Sequence, residues 1–282
     1  MILPGRPIAR EEVADHYDDL DAFYREVWGE HVHHGLWSAE TRGTDEAVQE
    51  LVRHVAAASG IRRGDRVVDI GSGYGATARQ LSTELDADVH AITLSPAQHT
   101  HALAAPAGPR QPTYHLGDWL SNPFMDSSFD VALAIESTEH MSDKAGAFAQ
   151  IRRVLVPGGR VGICAWIAAD RPAPWKVKRL LEPICREGRL PGMGTEADYR
   201  ELLASSGLTV ESVEDLSARV APTWRHSATR LAARVASDRR YRQYLWSRQS
   251  RNRDFAPSVL RILLAYRVGA MRYLLFVGRR AA

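Results

Sequence analysis

Residues 67–75 read VVDIGSGYG: a short apolar strand, an acid, and three glycines at alternate positions ahead of a helix-forming run. Glycine turns tightly and puts no Cβ between backbone and ligand, so a strand-turn-helix of this composition is a ligand cradle. A dinucleotide turn spaces its glycines G-x-G-x-x-G and carries an acid about twenty residues later for the ribose hydroxyls. Here the glycines are Gly71, Gly73 and Gly75, Asp69 precedes them, and the next strand ends Thr93-Leu94-Ser95 with no acid. Both departures argue against a nicotinamide cofactor.

Around this turn, strands alternate with helices. Residues 66–70, 88–94, 113–116, 129–135 and 160–167 read as strands, and residues 76–85, 96–104 and 143–154 as helices. That rhythm predicts an α/β fold, a doubly wound, mostly parallel Rossmann-like sheet with helices on both faces and ligands at the carboxyl ends of the strands. Residues 196–205 add a helix, and residues 208–216 and 272–277 two closing strands. Upstream, Val13, Tyr17, Leu20, Tyr24 and Val27 share one face of a single expected helix over residues 11–28. A second helix is expected over residues 44–59 with Thr44 as its N-cap. The chain divides into a helical cap, residues 1–43, and a Rossmann-like domain, residues 44–282. Insertions at about 168–195, rich in proline and glycine, and 220–266 are expected to form a lid on the substrate.

The composition, 45% hydrophobic and 25% charged, is that of a globular protein, and no apolar run has the length of a membrane span. With no secretory leader pattern at the N-terminus and two cysteines, Cys164 and Cys185, lacking metal-ligand spacing, a cytoplasmic location is expected. His31, His33 and His34 crowd one turn, but no cysteine or carboxylate set accompanies them, so no metal is expected. They read as part of a cap over a pocket. The net charge of +2 hides an uneven distribution: residues 219–282 hold fifteen arginines, no lysine, and Asp238 and Asp254 as their acids. Such a segment is either a solvated helical face or a surface for an anionic substrate or partner.

Several stretches together resemble the class I methyltransferases that use S-adenosylmethionine. They are the D-x-G-x-G-x-G turn (Asp69, Gly71, Gly73, Gly75), ITLSPAQ at residues 92–98, GDW at 117–119 and LVPGG at 155–159. WGEHVHHGLW at residues 28–37, ESTEHMSDK at 136–144 and GAMRYLLFVGRR at 269–280 narrow the resemblance to the tocopherol methyltransferase-like enzymes of small-molecule, specialised metabolism. The resemblance implies S-adenosylmethionine as cofactor. Asp69, Gly71, Ser72 and Gly73 would then face its methionine portion, Thr93, Leu94 and Gln98 its ribose, and Asp118 and Trp119 its adenine, with Glu136 on the same crevice.

The reaction expected is methyl transfer to O, N or C of a small apolar or aromatic acceptor. Positioning contributes most of such catalysis, and a base contributes where the attacking atom must lose a proton. His33, His34, Glu139 and His140 are the catalytic candidates, His140 and Glu139 foremost. Two other readings use the arginine-rich segment: carbon methylation of an isoprenyl diphosphate or similar anion, and, more distantly, nucleic-acid modification with Tyr241, Tyr244 and Trp246 as stacking rings. No nucleic-acid module is recognisable, so no nucleic-acid partner is expected. An exposed apolar lid face leaves a homodimer possible.

Overall fold

The computed structural model describes residues 1–106, 108–247 and 255–282. The N-terminal segment forms α1 (Arg10–Asp19) and α2 (Asp21–Val27), followed by α3 (Thr44–Ala58). The central alternation is β1 (Arg66–Ile70), α4 (Ala76–Leu85), β2 (Asp88–Thr93), α5 (Pro96–Ala104), β3 (Thr113–Leu116), β4 (Phe129–Ile135), α6 (Lys144–Val154) and β5 (Leu155–Ala168). Beyond it lie α7 (Pro174–Lys176), a π-helical turn (Val177–Leu181), α8 (Glu182–Glu187), α9 (Glu196–Ser205) and β6 (Leu208–Asp215). The chain closes with α10 (Ser217–Val220), α11 (Pro222–Ser237), α12 (Arg239–Trp246), α13 (Phe255–Arg267) and β7 (Met271–Arg280).

The seven strands form one sheet in the order β3-β2-β1-β4-β5-β7-β6. Strands β1 to β5 pair in parallel, while β7 runs antiparallel between β5 and β6. The order reverses direction between β1 and β4, which places a crevice at the carboxyl ends of those strands. Side-chain alternation along the strands separates two cores. Val161, Ile163, Ala165 and Ile167 of β5 join α6 and α9 on one face, while Cys164, Trp166 and Ala168 join α3, α4 and the N- and C-terminal helices on the other. Both cysteines are buried free thiols.

Three local expectations need correction. The single N-terminal helix is two, divided at Leu20, whose φ of −99° and ψ of 3° leave the helical region. The break lets α1 lie across α5 while α2 turns toward α11. Gly43, with extended backbone, caps α3, and Thr44 is its first residue. The LVPGG stretch, expected to lie ahead of a strand over residues 160–167, is part of that strand as a bulge: Leu155 pairs with Phe129 and Arg160 with Val131, and the residues between loop out.

Candidate active site

An open cleft of about 950 Å³ lies over the carboxyl ends of β1, β2 and β4. Its floor is the glycine turn. Gly71 has φ +74°, and a Cβ there would fall 2.3 Å from Ser137 Cβ, so only glycine lets the β1 and β4 ends approach. Gly73 has φ +54°, and a Cβ added there would meet nothing within 4 Å, so its bare backbone faces space. The turn is anchored by Gly71 and Ser72 N–H groups donating to Ile92 C=O, both at 2.9 Å, and by Ser137 Oγ donating to Ile70 C=O at 2.5 Å.

Gly71, Gly73, Thr93, Leu94, Gln98, Asp118, Trp119 and Glu136 all line this cleft. Thr93 Oγ1 donates to Gln98 Oε1 at 2.8 Å, and Asp118 Oδ1 accepts from Leu120 N–H at 2.9 Å. Trp119 is mostly core: its indole N–H donates to Ala147 C=O at 3.0 Å and only an edge meets the cleft. Ser72 contributes backbone to the turn and does not line the cleft. Asp69 sits behind the turn, 3% exposed, with its Oδ2 unpartnered. Burial alone pushes its carboxyl up to about 7.

Such a site fits a cationic cofactor with an amino-acid tail. The glycine backbone leaves space where a side chain would intrude, and behind the turn lies a buried carboxyl with an unpartnered oxygen, whose desolvation a nearby positive charge would offset.

A second cavity, about 590 Å³ with its opening, adjoins the cleft. Tyr17, Val32, Glu136 and His140 line both, so the two share a wall. Rings dominate the second cavity: Tyr17, Tyr24, Trp28, Trp166 and Trp224 contribute to its wall, with His33, His34 and His140. No lysine or arginine lines either cavity among the described residues.

The four catalytic candidates part company here. His140 ends a 3₁₀ turn (Thr138–His140) and its Nε2 meets the Tyr17 hydroxyl at 3.0 Å. Burial lowers its proton affinity to a pKa of about 3, so the ring is neutral at pH 7. Its neighbour Glu139 points the other way and lines neither cavity. Glu139 Oε1 accepts from Trp166 N–H at 2.8 Å, and burial raises its carboxyl well above the usual range. Lys144 fastens the same turn, donating to the carbonyls of Thr138, Glu139 and Met141 at 2.9–3.1 Å.

His34 is pinned at both ring nitrogens. Nδ1 donates to Glu136 Oε2 at 2.8 Å, which requires Nε2 to receive, and it does, from the Trp224 indole N–H at 2.5 Å and the Tyr266 hydroxyl at 3.2 Å. An indole nitrogen is donor only, so the tautomer is set and no lone pair is left for an acceptor's proton. Glu136 also accepts from His34 N–H at 2.7 Å and Tyr273 O–H at 2.8 Å. Burial alone would raise its carboxyl, but His34 and the hydrogen bonds outweigh that and hold it below the ordinary range. These bonds hold a non-glycine residue at φ +56°. His33 donates from Nδ1 to His34 C=O at 2.7 Å and pairs through Nε2 with His31 Nδ1 at 3.1 Å; burial lowers its pKa.

Among the described residues, half of the arginines of the arginine-rich segment form ion pairs. Arg240 pairs with Asp238 and Glu26, Arg272 with Glu196 and Asp215, Arg279 with Glu211, and Arg261 with Glu187. Arg230 and Arg242 donate to backbone carbonyls. Arg248, Arg251 and Arg253 lie outside the described residues. Tyr241 is buried and donates to Glu26, and Tyr241 and Tyr244 pack on Phe23, so these rings do not form the stacking platform imagined from sequence.

Sequence reasoning passed over Tyr17, Tyr24 and Trp166. The helical periodicity that marked Tyr17 and Tyr24 as buried was the signal available, and it says nothing of what a buried face is buried against.

A family model for a methyltransferase domain matches residues 68–163. The chloroplastic tocopherol O-methyltransferase of Arabidopsis thaliana is 32% identical over 236 residues, 76% of this chain and 68% of that protein. The 27-O-demethylrifamycin SV methyltransferase of Amycolatopsis mediterranei is 33% identical over 228 residues, 78% of this chain and 81% of that one. In three dimensions, the cyclopropane synthase MmaA2 from Mycobacterium tuberculosis shares the fold, with a TM-score of 0.84 and 22% identity over 97% of this chain and 99% of that one. The glycine turn and its cleft thus have their explanation: the chain belongs to the class I S-adenosylmethionine-dependent methyltransferases of small molecules, related to the tocopherol O-methyltransferases, with S-adenosylmethionine as methyl donor.

Proposed function

We propose that this enzyme methylates a hydroxyl oxygen on an apolar, ring-bearing small molecule, with Tyr17 and His140 handling the proton. The observation that carries this reading is the Tyr17–His140 pair, 3.0 Å apart in the wall shared by the two cavities. The ring-lined cavity suits a flat apolar acceptor. The two curated relatives described above are named for O-methylation or for a demethylated oxygen, which supports oxygen as the acceptor atom.

Gly71, Gly73, Thr93, Leu94, Gln98, Asp118 and Trp119 would hold the cofactor, with Asp69 behind the turn as its electrostatic partner. When bound, the cofactor supplies an electrophilic methyl group on a sulfonium. The protein's task is to align the acceptor, exclude water and remove one proton. Alignment of this kind can contribute about 7–11 kcal/mol. The cap, the ring-lined cavity and the helices α8 and α13 provide the exclusion.

His140 Nε2 is occupied by Tyr17, and Nδ1 is buried without a well-aligned hydrogen bond. The acceptor hydroxyl therefore meets the Tyr17 oxygen. It passes its proton there as Tyr17 passes its own to Nε2, leaving His140 as the imidazolium. The weak basicity of His140 suits late transfer, because an oxygen that has gained a methyl group holds its proton very weakly. A strong base is not required.

The diphosphate reading lacks support from the lining, since a diphosphate calls for cations and both cavities present none among the described residues. The test is product formation from labelled cofactor with a panel of phenols, aliphatic alcohols, amines and geranyl diphosphate. Label on phenolic oxygen supports the reading, and label on geranyl diphosphate or amines alone overturns it. In an active pairing, His140→Phe lowers kcat by about 100-fold, within the usual range for a lost base, and leaves cofactor affinity unchanged.

A further inference from the structure

We propose that the outer face of α13, with the turn packed beside it, is a docking surface for an anionic lipid bilayer. The helix has two apolar faces. Ser258, Val259, Ile262 and Ala265 are buried on the inner one, and Ser258 and Ile262 line the ring-walled cavity. On the opposite side Leu260 and Leu264, one turn apart, are 63% and 43% exposed. A surface helix ordinarily turns polar residues outward, so exposed leucines at helical spacing mark a face that meets something apolar.

The surroundings indicate what that is. Arg267 continues the strip one turn past Leu264, exposed and without an ion-pair partner among the described residues. The π-helical turn Val177–Leu181 packs on α13, and its Lys178 and Arg179 are likewise exposed and unpaired among the described residues. Lys176 Nζ donates to Val268 C=O at 2.6 Å, which fixes the neighbouring Trp175, 51% exposed, at the end of the same helix. Nearby acids are mostly engaged: Glu187 pairs with Arg261 and Asp170 with Arg272, leaving Glu182 on the turn following Lys178.

Leucine and tryptophan interleaved with unpaired cations is the chemistry of a lipid interface, where rings and aliphatic chains enter the headgroup layer and cations meet anionic lipid. A second copy of the chain is the poorer fit. Two-fold pairing of this face brings Arg267, Lys178 and Arg179 toward their own counterparts, and like charges in a contact are repulsive. Because the inner face of the same helix lines the proposed acceptor cavity, docking here would deliver an apolar acceptor from the bilayer; that consequence rests on the function proposed above, whereas the docking itself does not.

The test is co-sedimentation of the full chain with vesicles of phosphatidylcholine alone and of phosphatidylcholine with about one third phosphatidylglycerol. The wild type binds the anionic vesicles. The double variant L260S/L264S loses at least tenfold in partitioning while binding S-adenosylhomocysteine like the wild type in calorimetry, which establishes that it is folded. About 0.5 M sodium chloride weakens wild-type binding by screening the cations. Failure of the wild type to bind anionic vesicles overturns the proposal. So does equal binding by the double variant, which would assign the attraction to charge elsewhere, or a dimer that dissociates in L260S/L264S with no lipid binding by either protein.

Discussion

Replacing Asp69 by asparagine should stabilise the cofactor-free enzyme at neutral pH and weaken its grip on the cofactor. The carboxyl is 3% exposed with an unpartnered Oδ2, and burial pushes its pKa from 3.8 to about 7. Between those values the folded state binds the proton that the unfolded chain has released. Stability therefore falls as pH rises through that window and levels off above it. At about 1.4 kcal/mol per pKa unit the full cost approaches roughly 4 kcal/mol above pH 7. Asparagine removes the charge but brings an amide needing partners, at a cost of about 1–3 kcal/mol. The net expectation at pH 7.5 is a gain of about 1–3 kcal/mol, shrinking or reversing at pH 4.5. Urea denaturation of both proteins at several pH values between 4.5 and 8 measures the difference, so other buried groups cancel. Calorimetry with S-adenosylhomocysteine should show at least tenfold weaker binding. An unchanged pH slope in Asp69→Asn refutes the argument that this carboxyl is held at the expense of stability.

Two glycines of the turn should fail in different ways. Gly71→Ala places a methyl group 2.3 Å from Ser137 Cβ at φ +74° and should destabilise the fold by several kcal/mol in urea titration. Gly73→Ala meets nothing within 4 Å and should cost only about 1 kcal/mol of stability for its φ, yet lose at least tenfold in cofactor affinity by calorimetry. His34→Ala removes the imidazole partner of the buried Glu136 carboxylate and strands the Trp224 donor, so about 3–5 kcal/mol of stability should vanish from its denaturation curve. Glu139→Gln keeps a neutral acceptor for the Trp166 N–H; because burial already favours the protonated acid, kcat at pH 7 should stay within about threefold of wild type, and a 100-fold loss would restore Glu139 as a catalytic group.

Much of the fold was legible because its signals are local. Short apolar runs such as VVDI and LAI, proline after Ser95 and the glycines after Asp69 each bias the backbone within a few residues, and connection rules restrict the strand order. The segments proposed to hold the cofactor share that local character, since they are the ends of strands whose positions the topology dictates. The acid-base candidates do not. Glu139 and His140 are adjacent, yet a 3₁₀ turn fastened by Lys144 sends one into the core and the other to the shared wall.

The glycine spacing of residues 69–75 by itself marked a ligand cradle and argued against a dinucleotide, because backbone conformation there depends on having no side chain; the kind of cofactor came from its resemblance, together with ITLSPAQ, GDW and LVPGG, to a known family. Only the tertiary structure decided which polar atoms of the histidines are already occupied. His34 finds its partners at Glu136, Trp224 and Tyr266, each more than one hundred residues away in the chain, and their donors occupy its lone pair. The same holds for those C-terminal arginines that find acids on distant segments, Arg240 at Glu26 and Arg272 at Glu196. A side chain's chemistry is set by what occupies its polar atoms, and for these residues the occupants arrive from elsewhere in the fold.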